Sequence, residues 1–183
     1  MGQLLDDLQN EKPSELRQRS IDSMNWFRNN LRQIRVRHSS LLDEFNATGR
    51  VELGKIYMFF YDAKTQDKLP YWDYFPLCIP IKKYKTGFMG LNLHYLAPRY
   101  RVRLLDAMYG NMQDNVFDIN YKMVKSIGNL RWAKPCIKQY QYGYFNSYIK
   151  EVQSDYYDIV AMLPTQSFNV NANTVYSDSL RKI

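Results

Sequence analysis

The chain has 183 residues, a formal charge of +7, a pI near 9.3 and a hydrophobic fraction of 45%, much of it in 16 Tyr and 9 Phe. That length fits one domain with extended ends. No run approaches the 18 apolar residues of a membrane-spanning helix, and no basic region followed by an apolar run marks a secretion signal, so no membrane partner is expected.

Residues 1–13 are polar and end in Lys12-Pro13, which reads as a flexible lead. Ser14 can cap the helix that follows, with Glu15 in its first turn. Ile21, Met24, Phe27, Leu31 and Ile34 recur at spacings of three and four, which predicts an amphipathic helix over 15–37. Its outer face carries Arg19, Arg28, Arg32 and Arg35, and from Lys12 to Arg37 seven basic side chains stand against Glu15 and Asp22.

Asn46 to Gly49 breaks the chain. In KIYMFFY, residues 55–61, both parities are apolar or aromatic, which predicts a strand covered on both faces. After a polar turn over 62–67, Pro76 and Pro80 bracket Leu77, Cys78 and Ile79. Ile81 then opens a second short strand, which Pro80 would confine to an edge or a strand start. Thr86-Gly87 turns the chain into a third strand, Phe88 to Leu93. Connections this short favour antiparallel pairing into a small sheet or partial barrel over about 51–96.

Pro98 stands near the start of a helix over 99–109, with Leu104, Leu105 and Met108 inward, Arg99 and Arg103 outward, and Arg101 pointing away from those two. A further helix over 117–127 brings the helical region to about 99–130. Ser147 to Val152 reads as a strand, and Tyr156 to Leu163 as a strand or short helix. Residues 14–163 thus form a single α+β domain. Beyond Pro164 the chain is rich in Asn, Ser and Thr, which predicts an extended C-terminal arm over 164–183. Its Phe168, Val170, Val175, Tyr176 and Leu180 are spaced as anchors on a partner subunit would be; a loosely attached terminus is the alternative.

Signatures of catalysis are missing from the sequence. His38 and His94 form no HxxxH or HExxH pair, and Cys78 and Cys136 lie far apart outside any CxxC pair, so no metal site and no disulfide framework are expected. His38 reads as solvated, His94 as a strand residue satisfied by its own hydrogen bonds. Asp62, Asp67 and Asp73 cluster loosely where a two-metal nuclease would keep acids. The nearest approach to a companion Glu-x-Lys strand is Glu52 with Lys55, whose spacing puts them on opposite faces of a strand. The chain reads as non-enzymatic, with no cofactor and no small-molecule substrate. For nucleic acid, Arg28, Arg32 and Arg35 on the first helix and Lys82, Lys83 and Lys85 on the hairpin offer phosphate contacts, and aromatic rings offer stacking surfaces. A solvated basic face, or salt bridges to an acidic neighbour subunit, would account for the same charges.

The densest stretch is Leu69–Leu96, LPYWDYFPLCIPIKKYKTGFMGLNLHYL, with Tyr71, Trp72, Tyr74, Phe75, Tyr84, Phe88 and Tyr95 around prolines and glycines. Its alternation suits the sheet and rim of a compact core more than a binding platform. The block GKIYMFFYDAKTQDKLPYWDYFPL…GFMGLNLHYLAPRYRVRLLDAMYG, over about residues 54–110, resembles small virion proteins of large contractile-tailed bacteriophages, with a weaker echo in VYSDSLRKI. The resemblance implies a neck or head-completion protein that protects packaged DNA ends, or a baseplate or tail-end component, and carries no catalytic residues. The leading expectation is a structural subunit of a tailed-phage virion (neck, connector or baseplate). It would be synthesised in the host cytoplasm and act through contacts with other virion subunits in a symmetric ring. The alternative is a DNA-binding protein of the head–tail junction that protects or holds packaged DNA ends.

Overall fold

The structure, a computed structural model, describes residues 37–109 and 131–183. Six strands, β1 (Asn46–Ala47), β2 (Tyr57–Met58), β3 (Leu77–Tyr84), β4 (Gly87–Asn92), β5 (Ile137–Gln141) and β6 (Lys150–Glu151), form one antiparallel sheet in the order β1-β6-β2-β3-β4-β5. The helices are α1 (His38–Asp43), α2 (Pro98–Tyr109), α3 (Tyr157–Met162) and α4 (Ala172–Lys182). The architecture is α+β, as expected. The lead over 1–13, residues 15–36 of the helix predicted over 15–37, and the helix predicted over 117–127 lie outside the described residues. Arg37, assigned to the end of the first of these helices, has extended backbone and stands before α1.

The KIYMFFY segment does what its two apolar parities require. Ile56, Tyr57, Met58 and Phe59 are all fully buried, and the pleat sends alternate side chains into two cores. Ile56 and Met58 join the larger one with Leu77, Ile79, Leu91 and the helices. Tyr57 and Phe59 join a smaller aromatic one with Cys78, Phe88 and Tyr140. Burial of each such side chain contributes about 1.5–3 kcal/mol. Phe59 sits at the centre of the second core, with its ring 5.3 Å from Tyr140 and 4.5 Å from Phe145.

Three sequence expectations are corrected here. The strand predicted to begin at Ile81 is continuous with Leu77–Ile79, and Pro80 lies inside it. A proline fits because β2 pairs only as far as Cys78, and the ladder to β4 shifts register between Pro80 and Lys82. The backbone there needs no N–H from Pro80, whose carbonyl accepts from the Gly54 amide at 3.0 Å. Glu52 and Lys55 do not sit on opposite faces of a strand. Gly54 has φ of 84°, a left-handed turn that folds Lys55 back to within 3.1 Å of Glu52 and 2.8 Å of Glu151. Finally, the sheet exceeds the predicted 51–96 at both ends: Asn46–Ala47, expected as a break, form edge strand β1, and β5 and β6 come from beyond α2 as the other edge and as the strand between β1 and β2.

The predicted helix at 99–109 forms, and it carries an unexpected core residue. Arg101 is fully buried, with Nε donating to the Leu96 carbonyl, Nη1 to the carbonyls of Ala161 and Leu163, and Nη2 to Gln166 and the Tyr176 hydroxyl. Its five N–H groups thus have five acceptors, none of them a carboxylate. The cost of burying the cation is offset by this complete set and by the carbonyl end of α3.

The segment expected to be an extended arm is instead helical over most of its length and packed on its own body. Asn171 caps α4 by accepting from the Asn173 amide at 2.9 Å, and Arg181 and Lys182 occupy the last turn, where the helix dipole favours cations. Val175 is fully buried and Tyr176 bonds Arg101. Phe168 packs its ring 5.2 Å from Tyr95, and Val170 packs against the larger core. These four of the five predicted docking residues are therefore engaged within their own chain, while Leu180 is exposed.

Candidate nucleic-acid interface

The three hairpin lysines lie at the β3–β4 turn, where Lys83 pairs with Phe88 of the aromatic core. Tyr84 pairs with Gly87, leaving Lys85-Thr86 as a two-residue loop. Lys82, Lys83 and Lys85 are exposed, and none has a carboxylate partner among the described residues. Lys82 leans over the Tyr84 ring, 5.3 Å from its centroid. Adjacent strand positions face opposite ways, so Lys82 and Lys83 flank the tip on its two sides. The tip abuts the end of β5, since Gly87 pairs with Gln141 and the Tyr142 amide donates to the Thr86 carbonyl. Arg28, Arg32 and Arg35, the other three predicted phosphate contacts, lie outside the described residues. Arg101 is withdrawn into the core.

Beside this tip, β5 forms one wall of a cleft of about 510 Å³. The opposite wall is the loop before β3, with Tyr71 and Trp72, and Tyr95 and Tyr140 add further rings. Lys64, Lys138 and Lys182 converge on it from three separate elements. Lys138 stands with Nζ 3.8 Å above the Tyr95 ring centroid, and burial, with Lys182 nearby, pushes its pKa down to about 8. Trp72 is half-buried and makes no ring–ring contact with a described residue, while its amide donates to Asn169 at 2.9 Å.

Asp73, the one acid among the described lining residues, is already committed. Its Oδ1 accepts from the amides of Phe75 and Ser167, and its Oδ2 from Asn92 and from His94 Nδ1 at 2.8 Å. Burial works against its ionisation, but His94 and these donors outweigh it, and the carboxyl titrates below its ordinary range. An ionised acceptor fixes the His94 tautomer with the proton on Nδ1, so Nε2 accepts from the Thr165 hydroxyl at 3.0 Å. Burial holds His94 below its ordinary pKa despite the adjacent carboxylate. The Thr–His–Asp series has the residue types of a nucleophilic triad, but all three are buried, so it ties the C-terminal segment to the hairpin base.

Both histidines therefore differ from expectation in their surroundings. His94 lies in a one-turn helix after β4 rather than in a strand, though it is satisfied by hydrogen bonds as predicted. His38 is half-buried, stacked 4.5 Å from Phe75, and burial lowers its pKa. Asp62 and Asp67 do not join Asp73: the former bonds Asn146 and the latter sits exposed in a short turn. Among the described residues no His, Cys, Asp or Glu side chains gather as a metal-ligand set, and Cys78 and Cys136 are free and buried.

The Leu69–Leu96 block, expected to form the sheet and rim of a compact core more than a binding platform, supplies Tyr71, Trp72 and Tyr95 to the cleft, and none of the cleft's lysines was among the expected phosphate contacts. Lys64, Lys138 and Lys182 are isolated lysines in sequence, and the fold alone brings them together. A family model described as phage T4 terminal DNA protecting protein matches residues 3–182. No curated protein and no solved structure matches the chain.

Proposed function

The chain belongs to the phage T4 terminal DNA protecting protein family, and on that premise we propose that it binds the ends of phage DNA and shields them from degradation. The family description names DNA termini rather than a neck or baseplate, which moves the DNA-binding reading ahead of the structural-subunit one. The observation that supports it most directly is the exposed lysine tip at Lys82, Lys83 and Lys85, without a carboxylate partner among the described residues, beside an aromatic cleft with three further lysines. Contacts from lysine to phosphate need no particular base sequence, which suits a protein that must act on a DNA end as such. The proposed mechanism is binding without chemistry: the tip holds backbone phosphates and the bound protein blocks access to the terminus.

The test compares linear duplex with a covalently closed circle of the same sequence. The linear form should bind more tightly, should resist exonuclease digestion when bound, and should lose affinity steeply with salt. Lys82/Lys83/Lys85→Glu should remove the shift and lower the salt slope by about 0.9 for each lysine that holds a phosphate. Equal binding to circle and linear duplex, or no binding at low salt, would overturn the reading.

A further inference from the structure

The cleft has a composition that duplex DNA does not use. Phosphates of an intact duplex are reached from outside by exposed cations, and its bases present no free faces except at the end. The cleft instead pairs rings with one half-buried lysine, Lys138, and two exposed ones, Lys64 and Lys182, at its rim. Trp72 is half-buried in the lining and makes no ring–ring contact with a described residue, and Tyr71, Tyr95 and Tyr140 line the walls with it. Lys138 is fixed by its position over Tyr95, and Lys182 at the end of α4 and Lys64 in the facing loop supply two more charges. Asp73, the one acid among the described lining residues, has its oxygens turned to four donors of the protein, and the three lysines outnumber its charge. A volume of about 510 Å³ lies within the range of about 300–1,000 Å³ typical of small-ligand sites. Rings plus convergent lysines at this scale match an unpaired nucleotide, whose base stacks and whose phosphate needs cations.

We propose that the cleft between the loop before β3 and strand β5 receives the terminal unpaired nucleotides of a DNA strand. In this arrangement a base stacks on Trp72 and the phosphate is held by Lys138, Lys182 and Lys64. The inference rests on the end-binding reading and sharpens it: the lysine tip grips the duplex while the cleft takes the frayed or overhanging terminus. The neighbouring placement of Gln141 and the Lys85-Thr86 loop allows both contacts to a single end.

The experiment uses the full chain and two fluorescently labelled probes, a 5′-phosphorylated single-stranded tetranucleotide and a blunt 20-base-pair duplex, read by anisotropy. The tetranucleotide should bind, and Trp72→Ala should weaken it about tenfold or more, the effect of removing one base-stacking ring. Lys138→Met and Lys182→Ala should weaken it as well, with unchanged circular dichroism as the check on folding. Lys82/Lys83/Lys85→Glu should reduce duplex binding while leaving the tetranucleotide bound in the cleft. Duplex binding without tetranucleotide binding would overturn this inference and leave the end-binding reading standing. So would a bound tetranucleotide indifferent to Trp72 and Lys182, since it would then lie elsewhere. Failure to bind either probe would overturn both.

Discussion

Asp73 is ionised and His94 neutral in the folded chain, whereas both titrate near their ordinary values once unfolded. Because the folded value of His94 is depressed, the unfolded chain takes up a proton as pH falls through about 6.5 and the folded chain does not. Stability therefore falls with acid, by up to about 1.4 kcal/mol per pH unit for each histidine that stays neutral. His38, also held down by burial, adds to the same slope, and the buried Arg101 cation nearby further disfavours protonation of His94. Asp73, depressed in turn, extends the loss below about pH 4. The urea midpoint should drop between pH 8 and pH 5, and His94→Gln should flatten that drop. A midpoint independent of pH in this window would show that His94 is not buried in the neutral form.

At the scale of elements, the hairpin depends on a close approach. A Cβ at Gly87 would lie 1.9 Å from the Tyr140 carbonyl oxygen, a backbone atom that cannot rotate away. Gly87→Ala should cost at least about 3 kcal/mol, the upper end of ordinary overpacking, measured by chemical denaturation. Gly143→Ala, with nothing within 4 Å of its Cβ, should stay within about 0.5 kcal/mol. Equal stability for the two variants would refute the packing argument. The elements that sequence made legible are those whose apolar pattern is local: KIYMFFY, the hairpin and α2 all show their period within a few residues. Strand β5, IKQYQ, carries no such local signal because it has one buried side chain, Tyr140, and polar residues along the rest of an edge. Helix α4 looked like a disordered tail because its buried face is narrow, Val175 and Ser179 one turn apart, and its polar Tyr176 hydroxyl finds an equally polar partner in Arg101. The lysine tip could be read from KKYK, but the cleft required the fold to gather three distant lysines.

At the scale of the whole molecule, the C-terminal segment is part of the core rather than an appendage. Thr165 closes the hydrogen bonds of His94, Gln166 and Tyr176 complete those of Arg101, and Val175 fills the core. Deleting residues 164–183 should leave a chain without a cooperative unfolding transition, because the Arg101 cation and the Asp73 carboxylate lose acceptors and donors together. A truncated protein that unfolds cooperatively at the full-length midpoint would contradict this.

The strand order has a consequence for how the chain is made. Within the sheet β1 pairs with β6 alone, and β2 has β6 as one of its two neighbours. A nascent chain that has passed β4 holds a finished hairpin, yet β1 waits for residues 150–151 before it has any neighbour. Sheet order and translation order therefore disagree, and the loop that must close between Ala47 and Lys150 is long. The hairpin bearing the lysine tip, with β2 paired to its β3 strand, needs no such wait. Gln166 and then Tyr176 of helix α4 come later still and bring Arg101 its last two acceptors, so a late-made segment completes the hydrogen bonding of the interior.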